Sequence, residues 1–72
     1  MNKVTKVKRK AKIGEYLEIV NPWEPMGYHT GDIIRVTEER PSGIYAVIDG
    51  GEEYISDSEY VVLEGYTPEE AQ

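Results

Sequence analysis

The chain has 72 residues, no cysteine and a formal charge of -6, so it is read as one small domain that folds without disulfide or thiolate-metal staples. No apolar run approaches the roughly 20 residues needed to cross a bilayer, and the N-terminal stretch lacks the apolar centre of a signal peptide; no membrane contact and a cytoplasmic location are expected. The charge is unevenly placed: Lys3, Lys6, Lys8, Arg9, Lys10 and Lys12 give residues 1–12 a charge of +6, whereas Arg35 and Arg40 against fourteen acids put residues 13–72 at -12.

In chain order, the basic stretch KVTKVKRKAK comes first. With only Val4, Val7 and Ala11 as apolar content, residues 1–12 read as a mobile arm. A second reading lays the stretch along the acidic body of its own or another subunit, with lysines guarding a strand edge. A third makes Lys6, Lys8, Arg9, Lys10 and Lys12 a nucleic-acid handle acting by counterion release. The acidic body repels phosphate, so nucleic acid would be reached only through this arm.

From Gly14 onward apolar residues recur with period two. EYLEIVN is a strand with Leu17 and Ile19 toward a core, stopped by Asn21 and Pro22. NPWEPMGYHTG is too irregular for a strand and too Pro-rich for a helix, and forms a long loop. DIIRVTEER is the second strand, with Ile34 and Val36 inward, and Pro41-Ser42-Gly43 is a turn. GIYAVIDG is the third, with Ile44, Ala46 and Ile48 on one face and Tyr45 and Val47 on the other, as expected of a central strand in a closed sheet. Asp49-Gly50-Gly51 signals a hairpin, and EEYI is a short fourth strand. Ser56 and Glu59 have capping-box spacing with room for one helical turn. Residues 60–64 make the last strand, with Val61 and Leu63, or Val62, inward. Residues 65–72 are a tail with a helix start at Thr67-Pro68 but too little chain to sustain one.

Five short strands, a long first loop, tight hairpins and one helical turn before the last strand are the plan of an SH3-like barrel, here over residues 13–64. Gly31-Asp32, Gly43 with Ile44-Tyr45, and Ser58-Glu59-Tyr60-Val61 resemble the central part of Src-homology-3 domains over residues 30–64. Of that family's groove residues only Tyr60 has a clean match. The Tyr-rich ALYDY segment has no counterpart, Ile44 replaces the first Trp of the Trp-Trp pair, and Ser56-Asp57 replaces a Pro. The residues therefore do not favour recognition of Pro-rich helices. The basic start and the GDI strand are also similar to the short SH3-like proteins of phages and prophages, which implies a bacterial host.

Trp23, Tyr28 and His29 in the long loop, with Tyr54 and Tyr60 flanking the helical turn, form the candidate partner-binding set, because amphipathic aromatic side chains are enriched in interface cores. The competing reading packs Trp23 under its own loop and uses the tyrosines as core cover; His29 alone reads as an exposed loop residue. DGGEEYISDSE lacks the ligand spacing of a Ca²⁺ loop, and no phosphate loop or nucleophile turn is present. No catalytic residue, metal or cofactor is expected. The reading is a non-enzymatic protein-binding module, monomeric or weakly dimeric, that modulates a host factor; the alternative is a small nucleic-acid-binding accessory protein using the arm.

Overall fold

Alternation of buried and exposed side chains sets the strands. The computed structural model describes residues 3–23 and 27–68, and these are all-β with no α-helix. Six strands, β1 (Thr5–Val7), β2 (Tyr16–Ile19), β3 (Ile33–Arg40), β4 (Gly43–Ile48), β5 (Gly51–Ser56) and β6 (Tyr60–Glu64), form one antiparallel sheet in the order β1-β6-β2-β3-β4-β5, with a 3-10 turn at Asp57–Glu59 between β5 and β6. The expected tail lies partly outside the described residues.

β3 carries the fold. Its register against β4 shifts between Val36 and Glu38, and such a bulge bends a strand and sharpens its twist. The first half of β3 pairs with β2, beyond which lie β6 and β1; the second half pairs with β4 and then β5. The sheet thereby folds over a core of Leu17, Ile19, Ile34, Val36, Ile44, Ala46, Ile55, Tyr60 and Val62, closed by Tyr28 and Ala11. At about 1.5–3 kcal/mol for each large buried side chain, this core is the main source of stability.

Two expectations need correction. Among the described residues the sheet has six strands rather than five, and no ladder joins its two edges, β1 and β5. In addition, Val47 is exposed and Tyr45 only half-buried, because the outer face of β4 is covered by little more than Tyr54 and Arg40. The turns follow their residues. Asp49 and Gly50 both adopt positive φ, 52° and 83°, as a two-residue hairpin turn of the primed type requires.

Residues 5–11 of the segment expected to be a mobile arm lie against the body of the domain. Thr5, Lys6 and Val7 pair with Glu64, Leu63 and Val62, and the residues that follow are fixed by their own charges. Lys8 Nζ donates to the carbonyls of Asp57 (2.7 Å) and Tyr60 (2.9 Å). Lys10 Nζ donates to the carbonyls of Arg40 (2.7 Å) and Gly43 (3.2 Å) and to the Asp57 carboxylate (2.7 Å). Arg9 grips Glu15 in a bidentate pair and reaches Glu64 as well. Ala11 is buried, its N–H donating to the Tyr60 hydroxyl at 3.0 Å. The physical reason is charge: a +6 segment beside a -12 body gains more from these partners than its poor apolar content suggests.

Candidate functional site

A groove of about 600 Å³ runs between the long loop and the edge strand β5, lined by Trp23, Tyr28, Glu53, Tyr54, Ser56, Ser58 and Glu59. The size suits a side chain or a short peptide segment. Its aromatic members are held by different means. Tyr54 lies over Gly43 and meets Tyr45 edge-to-face, 5.5 Å between ring centres. A Cβ at Gly43 would stand 2.6 Å from the Tyr54 ring and 2.5 Å from the Ile55 carbonyl. Gly43→Ala is accordingly expected to cost about 2 kcal/mol through overpacking and to displace Tyr54; a urea titration and the Tyr54 ring shifts in NMR would register both.

Glu59 organises the rest. It is 4 % exposed, and its carboxylate accepts four hydrogen bonds: from the Tyr28 hydroxyl (2.7 Å) and the Trp23 N–H (2.9 Å) on Oε1, and from the Ser56 N–H (2.9 Å) and hydroxyl (2.8 Å) on Oε2. Its carbonyl also accepts the N–H groups of Val20 and Asn21. One residue thus fastens the long loop to the 3-10 turn. Burial alone pushes a carboxyl pKa up, but the donors from Tyr28, Trp23 and Ser56 outweigh it and hold Glu59 below the usual carboxylate range. The Tyr28 hydroxyl is pushed well above its ordinary value, first by burial and then by the Glu59 carboxylate.

Of the five aromatic candidates, Trp23, Tyr28 and Tyr54 meet in the groove, and His29 and Tyr60 do not line it. Trp23 is 75 % exposed and Tyr54 41 %, whereas Tyr28 is buried beneath them at 2 %. His29 projects into solvent, its N–H donating to Asp32 Oδ2 at 2.8 Å. Tyr60 is a core residue with no exposed surface. As the first residue of β6 it points inward, and its hydroxyl donates to Asp57 Oδ1 (2.6 Å) while accepting the Ala11 N–H. Sequence reasoning missed Glu53, Ser56, Ser58 and above all Glu59 as groove residues. The Ser-x-x-Glu spacing signalled Glu59 as a capping residue, but nothing local pointed to Trp23 and Tyr28, 36 and 31 positions away.

The nucleic-acid candidates are largely engaged within the chain. Lys6 pairs with Glu18 at 3.1 Å, Arg9 with Glu15 and Glu64, and Lys10 with Asp57, while Lys8 is held by carbonyls. Lys12 and Lys3 make no ion pair among the described residues. Arg9, Glu15 and Glu64 also line a second hollow of about 510 Å³ with Tyr16 and Tyr66, but there the charges satisfy one another. Among the described residues no group of His, Cys, Asp and Glu is placed to hold a metal ion, and no helix is long and apolar enough to cross a membrane. Comparison with known proteins returns no family model, no curated protein and no solved structure that matches the chain.

Proposed function

We propose that this chain is a non-enzymatic protein-binding module, an SH3-like barrel of the phage- or prophage-encoded kind acting in the bacterial cytoplasm, whose groove of Trp23, Tyr28 and Tyr54 takes a protein partner. The observation that carries the reading is Trp23: its backbone N–H is tied to the buried Glu59 carboxylate while its indole is 75 % exposed. An isolated exposed apolar residue needs no explanation, but a positioned tryptophan over an apolar groove does. Fixing the backbone that carries the ring lowers the entropy lost on association. The SH3-like assignment is supported by the long loop between β2 and β3, the tight hairpins and the 3-10 turn before β6, the same plan the resemblance implies. The acidic body favours a basic target, including a nucleic-acid-binding host factor, by charge complementarity. The nucleic-acid alternative finds less support, since four of the arm's cations already have partners within the chain.

Trp23→Ala is expected to leave stability within about 0.5 kcal/mol, as for a surface substitution, and to weaken partner binding at least about tenfold, as loss of a central aromatic contact does. Trp23 is the only tryptophan, so its fluorescence reports directly. A blue shift on binding is expected, and a partner that binds wild type and Trp23→Ala equally would sink the reading.

A further inference from the structure

The edge beside the groove has its own chemistry. Ile48 and Gly51 flank the two-residue turn and pair directly, followed by Ala46 with Glu53 and Ile44 with Ile55. In an antiparallel ladder hydrogen-bonded and non-bonded pairs alternate, so if these three pairs are the bonded ones, Glu52, Tyr54 and Ser56 turn their backbone N–H and C=O away from β4. Ser56 verifies the phase, because its N–H donates outward to Glu59 Oε2. Glu52 and Tyr54 have no such partner among the described residues. They present donors and acceptors in strand spacing along the rim of the Trp23 and Tyr28 groove.

We infer that the β5 edge is a strand-addition site for an extended basic segment of a protein partner, one in which lysines alternate with apolar residues. The inference rests on the reading of the groove as a protein-binding site and specifies what enters it. Backbone pairing along Glu52 and Tyr54 would place one face of the added strand against those two side chains. The other face would meet the groove at Tyr28 and Glu53. Lysines suit the first face, by pairing with Glu52 and lying over the Tyr54 ring. Apolar side chains suit the second.

The opposite edge of the same sheet shows the arrangement already realised. There Thr5-Lys6-Val7 is added to β6, with Val7 beside Val62, Lys6 paired to Glu18 and Arg9 to Glu64. β5 offers Glu52 and Glu53 where the β6 edge offers Glu64, with Glu18 of the neighbouring β2 behind it. A second copy of this chain is a poor occupant, because two-fold pairing of β5 with itself brings Glu52 and Glu53 of both copies to one seam, directly opposite their counterparts when the axis lies at either residue. The acids that keep the edge from pairing with itself attract a strand of opposite charge.

The test is an NMR titration of the intact, ¹⁵N-labelled chain with a blocked peptide of alternating lysine and valine. Amide exchange at Glu52 and Tyr54 is expected to slow at least about tenfold in the complex, with affinity falling as salt rises. The same peptide N-methylated at alternate residues should lose binding, which tests backbone pairing without altering the protein. A glutamate-valine peptide should not bind, and Glu52→Gln should weaken the lysine-valine complex. Unchanged exchange at Glu52 and Tyr54 together with a shifted Trp23 emission would overturn strand addition and leave the groove reading standing. If neither changes while a protein partner still depends on Trp23, strand addition alone is again overturned; without such a partner both readings fall. Faster exchange at Thr5 and Val7 without protection of β5 would mean that the peptide displaces β1, which also overturns the inference. So would binding by a single-stranded oligonucleotide in place of the peptide.

Discussion

Deleting residues 2–12 is expected to abolish or nearly abolish the cooperative unfolding transition, a result opposite to that for a dispensable leader. The loss includes the β1–β6 ladder, the lysine contacts to four backbone carbonyls, the Arg9 bridge and the buried Ala11. It also leaves the Tyr60 hydroxyl without its donor and Glu15, Glu64 and Asp57 without their cations. Exposed contacts contribute little; the six buried or part-buried side-chain hydrogen bonds between residues 8–11 and the body, at about 1 kcal/mol each, put the total at about 6 kcal/mol. A chain of this length has about 4–11 kcal/mol in all, at about 0.05–0.15 kcal/mol per residue. Urea titration of the truncated chain checks the result, and a midpoint equal to that of the full chain would show the contacts to be idle.

Single substitutions separate where a charge sits from how many there are. Lys6 is well exposed, so Lys6→Ala should stay within about 0.5 kcal/mol. Arg9→Ala breaks a bidentate pair that also bridges to Glu64 and, at a partly exposed site, should cost about 1 kcal/mol. The hydrogen bonds from Arg9 hold the Glu15 pKa at about 2. Because this is below the unfolded value, about 4.3, the pair stabilises above that pH and its contribution is lost as pH falls toward 2. Arg9→Ala should therefore flatten the acid limb of the stability curve, which urea midpoints at several pH values would reveal.

The strands were legible because their signal is local. Leu17 and Ile19 flank Glu18, Ile34 and Val36 flank Arg35, and all four are buried where the alternation puts them; Ile44 and Ala46 are buried as well, although Tyr45 and Val47 between and beside them are also apolar. Asp49-Gly50 announces a hairpin because few other residues tolerate its φ angles. β1 was not legible. Thr5, Lys6 and Val7 carry little burial, and what holds the segment lies some fifty positions away: the β6 residues Val62, Leu63 and Glu64 that pair with β1, and Asp57, Tyr60 and Glu64 that meet Lys8 and Arg9 just after it. Tyr60 lies in the core rather than the groove for a related reason: a match within a short motif names a residue type, whereas burial depends on what residues 8–11 lay against it. Trp23, Tyr28 and Tyr54 could be grouped by composition. That Glu59 holds two of them in place required the tertiary contacts.

Glu59→Ala is expected to destabilise the domain by about 3–4 kcal/mol, since buried donors left unsatisfied cost about 1–3 kcal/mol each and not all will remain dry. Glu59→Gln is the more informative change. It keeps the shape and one acceptor oxygen but turns an NH₂ toward donors at the other, so either the Tyr28 and Trp23 pair or the Ser56 pair loses its acceptor. A loss of about 2 kcal/mol follows. With the folded pKa of Glu59 held below its unfolded value, the wild-type chain draws stability from this carboxylate above the unfolded pKa and loses it as pH falls through the folded one. The Gln variant lacks that dependence, so the two stability curves should converge on acidification. Parallel curves would mean that Glu59 is protonated in the fold, and a ¹³C titration of its carboxyl would show this directly. Because Glu59 fixes the Trp23 backbone, the Gln variant should also bind the partner more weakly than its remaining folded fraction accounts for. Trp23→Ala, by contrast, loses binding at full stability. The two substitutions thus separate a groove that contacts a partner from the buried carboxylate that keeps the groove in shape.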